Sequence, residues 1–452
     1  MDNRNLKVFG ITLAICLVLG AAVLGTVAVL KGSWTGEKTS NGNSAESGEL
    51  KSVSLSVEGW EDLNPDRSTE GEKDPAGQDS DLPPGAERID VSKETATEES
   101  GTIAETEEGE KLPPAGTKLK DEKGRVTEVI LPENEEITML FAGDILFDDN
   151  FTPMVVLRNR GQGILGSFSD ATIDEMRAAD IFVINNEFPY SDRGAPLPNK
   201  NFTFRAKPET VTFLDDIGVD MVTLANNHAY DFGEEALLDT FTILNNDEMP
   251  YAGAGENLSE AVKEMVFRNG DQSIAVLSAT QIERMPNPDT KGATESSAGV
   301  FRCLDDTRLV ERVAEANELY DIVVVYVHWG TESTTVLDYR QVDSAKRLAD
   351  AGADLIIGDH PHILQSIDIV GGCPVIYSLG NYWFNSSAQD SCLVKATLSG
   401  GRVTAWQFLP ARQEGCFTSL LDGAEKDRVL AHMREISPNV SIDADGYLSL
   451  NR

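Results

Sequence analysis

The sequence predicts an α/β fold with a largely parallel core, and three observations predict it. Short apolar runs recur along the second half of the chain, each stopping at a polar residue; amphipathic helical stretches lie between them; and two later segments carry hairpin signals. The runs cover residues 137–142, 180–185, 220–225, 321–327 and 353–357, and they stop in turn at Asp144, Glu187, Asn227 with His228, His328, and Asp359 with His360. Their length and β-branched content suit strands buried on both faces. Residues 233–244, 305–319 and 339–351 have helical periodicity. Strands alternating with helices imply right-handed crossovers between parallel neighbours. The segments 265–279, with Asn269 and Gly270 at a turn, and 392–408, with Ser399, Gly400 and Gly401, read as hairpins at a sheet edge or in a second sheet.

The rest of the chain divides by composition. Residues 8–30 carry no charge and follow Arg4 and Lys7. At about 1.5 Å per residue such a run spans a bilayer as one helix. The flanking cations leave residues 1–7 in the cytoplasm and the remainder outside, as an uncleaved signal anchor in the cell membrane. Residues 31–136 read as a disordered acidic stalk: positions 37–136 hold 27 acidic against 11 basic side chains and few aromatics. Such a stretch has too little apolar surface to offset its conformational entropy. The predicted folded domain is 137–411, with 412–452 as a C-terminal extension in which 422–436 reads as a surface helix. A net charge of -37 excludes nucleic acid as a partner. Beyond Cys16 there are four cysteines, Cys303, Cys373, Cys392 and Cys416; a Cys373–Cys392 disulfide and four unpaired thiols both fit the sequence.

The polar residues that stop the runs form the candidate site. Ligands of open α/β sheets bind at the carboxyl ends of strands. Four of the five histidines lie at or just past such ends, as do Asp144, Glu187 and Asn227, while His432 falls on the C-terminal helix. Imidazole nitrogen with carboxylate oxygen is a ligand set for Zn, Mn or Fe. His360 and His362 flank Pro361, and in a regular strand both rings would face the same way.

These residues carry a family resemblance. Gly143-Asp144, Asn185-Asn186-Glu187, the segment from Leu224 through Asn227-His228 to Gly233, Val327-His328-Trp329-Gly330-Thr331-Glu332, Gly358-Asp359-His360-Pro361-His362 and Tyr377-Ser378-Leu379-Gly380-Asn381 occur in order. Together, over 137–411, they resemble the CapA family of poly-γ-glutamate capsule synthesis proteins, itself similar to calcineurin-like metallophosphoesterases. The resemblance implies a two-sheet α/β/β/α sandwich holding one or two divalent ions. It implies Asp144 and His362 as ligands of a first metal, and Asn227, His328 and His360 as ligands of a second. Glu187 stands in place of a bridging aspartate, and His228 matches the acid that protonates a leaving group. The sequence departs from the phosphoesterase pattern at Leu146, where a histidine ligand is usual, and at Glu187, one methylene longer than aspartate. Arg193, Arg205, Trp329, Glu332 and Asn381 are candidate substrate-binding residues, with Lys200 beside the first two; Trp329 and the aromatics Tyr382, Trp383 and Phe384 either line a mouth or pack the loops. The implied function is a membrane-anchored extracellular component of poly-γ-glutamate-type polymer synthesis or export, partnered by an anionic polymer and by the ligase and membrane subunits of that system. An extracellular metal-dependent phosphoesterase acting outside capsule formation, and a non-catalytic scaffold, are the alternatives.

Overall fold

The structure is a computed structural model and describes residues 112–283 and 290–450. The anchor at 8–30 and the stalk as far as residue 111 lie outside the described residues. Among the described residues no helix is long and apolar enough to cross a membrane.

Two eight-stranded mixed sheets form the core of the described residues. In the first, Ile137–Ile145, Ile181–Asn186, Met221–Thr223 and Tyr251–Ala252 run parallel in that order. On the other side of Ile137–Ile145 the antiparallel hairpin Gln389–Leu398 and Val403–Gln413 is added, with Thr418–Leu420 at the edge. In the second, Gln272–Thr280, Ile322–His328, Leu355–Asp359 and Cys373–Ile376 are parallel, and Met265–Asn269 joins Gln272–Thr280 as a hairpin. One predicted hairpin therefore enters each sheet.

Alternation along the strands explains the layering. Met139 and Phe141 pack with Val276, Val324, Tyr326 and Ile357 of the second sheet in one apolar cluster. Their neighbours Leu140 and Ala142 pack outward with Met176, Leu214, Leu237 and Phe241 of the helices Asp170–Ala178, Thr212–Ile217 and Gly233–Asn246. On the outer face of the second sheet, Val323, Val325 and Val327 meet Leu309 and Val313 of Thr307–Leu319 and Leu348 of Tyr339–Asp350. Side chains of both parities are buried, so the strands read as continuous apolar runs.

Two predicted boundaries are corrected. Residues 118–130 belong to the second sheet: Lys118–Lys120 pairs with Val126–Ile130, which in turn pairs parallel with Met265–Asn269. Val126 and Ile130 are buried, and the Arg125 guanidinium donates to the carbonyls of Glu260 and Tyr251 while stacking 4.6 Å from the Tyr251 ring. This short β-branched run is masked in sequence by the acidic composition around it. The proposed break at 411 falls inside the strand Val403–Gln413, and the helix Gly423–Ile436 buries Val429, Leu430 and Met433 against the inter-sheet cluster. It is an amphipathic covering helix of the same body. Cys303, Cys373, Cys392 and Cys416 are all buried, unpaired thiols, which decides against the Cys373–Cys392 bridge.

Candidate metal centre

The carboxyl ends of the parallel strands in both sheets face one another, and the candidate residues meet there. Gly143 begins the arrangement: a Cβ at this position would lie 1.8 Å from the Gly380 carbonyl oxygen. That close approach lets Asp144 N–H donate to Gly380 O and sets Asn381 opposite Asp144. Asn226 fixes the next turn, its Nδ2 donating to Asn185 Oδ1 at 3.0 Å and to Asn186 O at 2.9 Å, while its Oδ1 accepts from His228 N–H at 3.0 Å. His328 ends its strand opposite Asp359. The segment that follows is not strand as expected: His360 has φ +99° and His362 φ +58°, conformations side chains rarely adopt. This strained turn, rather than strand alternation, brings both rings inward.

All seven predicted centre residues converge. His328 Nε2 lies 2.8 Å from Asn227 Oδ1, 3.1 Å from His360 Nδ1 and 3.6 Å from Glu187 Oε1. Asn185 Nδ2 donates to Asp144 Oδ1 at 2.6 Å and lies 3.3 Å from His328 Nδ1. His362 Nδ1 is 2.9 Å from Asn381 Oδ1 and 3.0 Å from Asp144 Oδ2; one proton on that nitrogen cannot serve both, and Asp144 Oδ2 has no aligned donor. His228 Nε2 lies 3.9 Å from Glu187 Oε1, and its Nδ1 donates to Asp231 Oδ2 at 2.6 Å.

Burial sets the charge states. It lowers His228, and it holds His328 down at about 3 against the pull of Asp144, so both rings are neutral with a lone pair to offer. Burial would raise Asp144, but His362, 3.0 Å away, and the Asn185 donor outweigh it and keep the carboxyl at about 2. Glu187 and Asp359 are pushed well above the carboxylate range by burial and then by the charge of Asp144. Three carboxyl groups are thus enclosed together, and the charge of Asp144 in turn raises His362 against burial.

The residues fit a metal ion. Glu187 is fully buried, and among the described residues neither of its carboxylate oxygens has a hydrogen-bond partner. An orphaned buried carboxylate is costly unless it is paired or ligates a cation. Two groups have ligand atoms all within 4.8 Å of one another: Glu187, His360 and His362, and Asp144, Glu187 and His328. Glu187 is common to both. The grouping sets His360 beside His362, where the resemblance implies His328 as its partner; His360 touches both.

The predicted substrate-binding residues fare differently. Trp329 is fully buried, stacked on Tyr377 and donating to its carbonyl at 2.9 Å, so it belongs to the core. Tyr382 and Trp383 are also fully buried, and of the three following aromatics only Phe384 reaches the centre, 4.8 Å from the His362 ring. Arg193 is held by Asp239 and Glu235, and Arg205 lies over the Phe232 ring. Lys200 is buried against Asp231 and the Asn227 carbonyl. Asn381 bonds His362 and Gln389. Glu332 remains exposed, in a groove of about 430 Å³ that it shares with His360, Gln281, Asp338 and Arg340. A larger groove of about 670 Å³, around Thr127, Val262, Arg312 and Tyr320, contains none of these groups.

Sequence reasoning passed over Asn185, Asn226, Asp231 and Asp359. Asn226 adjoins Asn227, Asn185 lies two positions before Glu187, and Asp231 follows His228 by three positions, the spacing of a local turn. Asp359 stood in a quoted motif without a role; it accepts from Tyr326 Oη at 2.9 Å.

The sequence profile described as "Bacterial capsule synthesis protein PGA_cap" matches residues 138–386. The chain is 32% identical over 321 residues to the capsule biosynthesis protein CapA of Bacillus anthracis, covering 67% of this chain and 75% of that one. It is 32% identical over 242 residues to the PGA biosynthesis protein CapA of Bacillus subtilis, covering 52% and 62%. A probable polyglutamine synthesis accessory protein of Mycobacterium tuberculosis is 28% identical over 255 residues, covering 53% and 67%.

Proposed function

This chain belongs to the bacterial capsule synthesis (CapA) family, and from that premise we propose that it is a surface-tethered accessory protein of poly-γ-glutamate-type polymer synthesis or export, with a divalent-cation centre at Asp144, Glu187, Asn227, His328, His360 and His362. The uncharged run 8–30 is the tether in this reading, placing the folded unit outside the cell. The observation that carries the cation is Glu187, buried, shared by both ligand groups and unsatisfied at both oxygens. When bound, the ion would supply Lewis-acid polarisation of a phosphoryl or carbonyl oxygen.

The chain's own groups have distinct tasks. Neutral His328 presents a lone pair, and Asn185 orients Asp144 by donating to one of its oxygens. Asp231 fixes the His228 ring through Nδ1, leaving Nε2 on the Glu187 side free to take or give a proton at a leaving group. That pair favours a second reading, a metal-dependent hydrolase acting outside capsule formation, because a scaffold needs no oriented imidazole.

The test is the metal content of the purified protein after dialysis, for wild type, Glu187→Gln and His328→Ala. Wild type should retain one or two divalent ions, and each variant should bind about 100-fold more weakly. Equal content in all three removes the centre. His228→Ala should keep the metal; if it loses turnover of a generic phosphodiester, while deletion of the gene leaves surface glutamate polymer intact, the hydrolase reading replaces the capsule one.

A further inference from the structure

The groove beside His360 has a charge pattern that constrains what enters it. The centre itself is nearly closed, and His360 is the member of the centre that lines this cavity, whose volume of about 430 Å³ lies within the range usual for small-ligand pockets. Among the described residues its rim carries carboxylates from Glu283, Glu332 and Asp338 and one cation, Arg340. Glu283 is held by Arg302 at 3.3 Å, and Asp338 caps the helix Tyr339–Asp350. Among the described residues neither Glu332 nor Arg340 forms an ion pair, and Arg340 instead lies over the Tyr339 ring. One unpaired anion and one unpaired cation thus flank the way in.

The interior of a polyanion does not suit such a rim, since each repeat would bring carboxylates against Glu332, Glu283 and Asp338. Of the other basic side chains named as candidates, Arg193 and Lys200 are neutralised by Asp239 and Asp231, and Arg205 is turned over the Phe232 ring and onto the Arg193 carbonyl. One part of a γ-linked glutamate chain does match. The linkage uses the γ-carboxyl group, so the residue at the amino end keeps an α-ammonium and an α-carboxylate on the same carbon. The carboxyl end and every internal residue lack that ammonium.

We propose that the groove is the subsite for the zwitterionic amino end of a γ-linked glutamate chain, with Glu332 receiving the α-ammonium and Arg340 the α-carboxylate. This rests on the capsule reading above for the identity of the chain, though not on the metal, since neither residue belongs to the centre. The domain would then meet the polymer at its end rather than along its length.

The experiment uses the full chain in detergent micelles and a γ-linked glutamate tetramer labelled at its carboxyl end. Fluorescence anisotropy compares the free amino end with its N-acetylated form, with and without added Mn²⁺. The free form should bind at least tenfold more tightly in both conditions, and Glu332→Gln and Arg340→Gln should each remove about tenfold while leaving metal content and melting temperature unchanged. Equal binding of the two tetramers, no effect of either variant, or no binding of either tetramer to folded wild type overturns the inference. Failure to retain Mn²⁺ with amino-end discrimination intact would instead count against the metal centre alone.

Discussion

Glu187 and Lys200 are both ionisable side chains taken almost wholly out of water at the same pole of the molecule, and they are treated in opposite ways. Lys200, with its side chain 7% exposed, donates to Asp231 and to the Asn227 carbonyl, and Asp231 also receives Phe204 N–H and the His228 ring. Glu187 sits at 0% exposure with no donor on either oxygen among the described residues. A satisfied buried charge holds a loop in place; an unsatisfied one marks where something else must bind. The same contrast separates the outer candidates, since Arg193 is satisfied from within the fold whereas Glu332 and Arg340 face the groove unpaired.

The largest expected effect breaks the satisfied member. Lys200→Met leaves Asp231 without its ammonium partner, and removal of one partner of a buried pair costs about 3–5 kcal/mol. The remaining donors to Asp231 place this case at the lower end. Urea denaturation should register it, and a loss under 1 kcal/mol would show that Lys200 is not a structural tie.

Asp220 is an intermediate case, a carboxylate held by a single backbone donor, Phe182 N–H at 2.8 Å. Burial outweighs that bond and raises its pKa to about 6. A folded-state pKa above the unfolded value near 3.9 means that the native state keeps the proton longer. Stability therefore falls as pH rises from about 4 to about 6, by about 2 kcal/mol after allowance for partial exposure, and is level above that. Asp220→Asn should remove this slope from the difference between mutant and wild-type denaturation curves. Parallel pH profiles for the two proteins would contradict the assignment.

The smallest effect concerns Trp329, which sits beside His328 in sequence and packs in the core. Trp329→Phe removes the indole donor to the Tyr377 carbonyl and some packing volume, for about 1–2 kcal/mol of stability. Metal content and tetramer binding should not change. A change in either would return Trp329 to the mouth of the site.

Much of this was legible in the sequence because it is local. A five- to seven-residue apolar run that halts at Asp144, Glu187 or His328 reports a buried strand and its carboxyl end without reference to any other part of the chain. The hairpins were equally legible, from Asn269-Gly270 and from the Ser399–Gly401 glycines, since turn chemistry is set by a few adjacent residues. Less legible were the strands within 118–130, whose few apolar residues are outweighed by the acidic composition that surrounds them. The backbone of His360 and His362 was not legible at all: nothing in a His-Pro-His triplet announces positive φ at both ends, and the conformation persists because the surrounding strands and the Asp144, His328 and Asn381 contacts fix it.

By itself, then, the sequence determined an α/β chain with polar residues delivered at strand ends, because hydrophobic periodicity and turn residues act over a few positions. The tertiary structure decided that these ends belong to two sheets facing each other, so that Asp144, Glu187 and Asn227 from one meet His328, His360 and His362 from the other. It also decided which charges are spent on internal partners and which are left facing a cavity. Those outcomes depend on contacts between residues more than a hundred positions apart, such as His328 with Asn227 and Tyr326 with Ala142, and no local pattern encodes them.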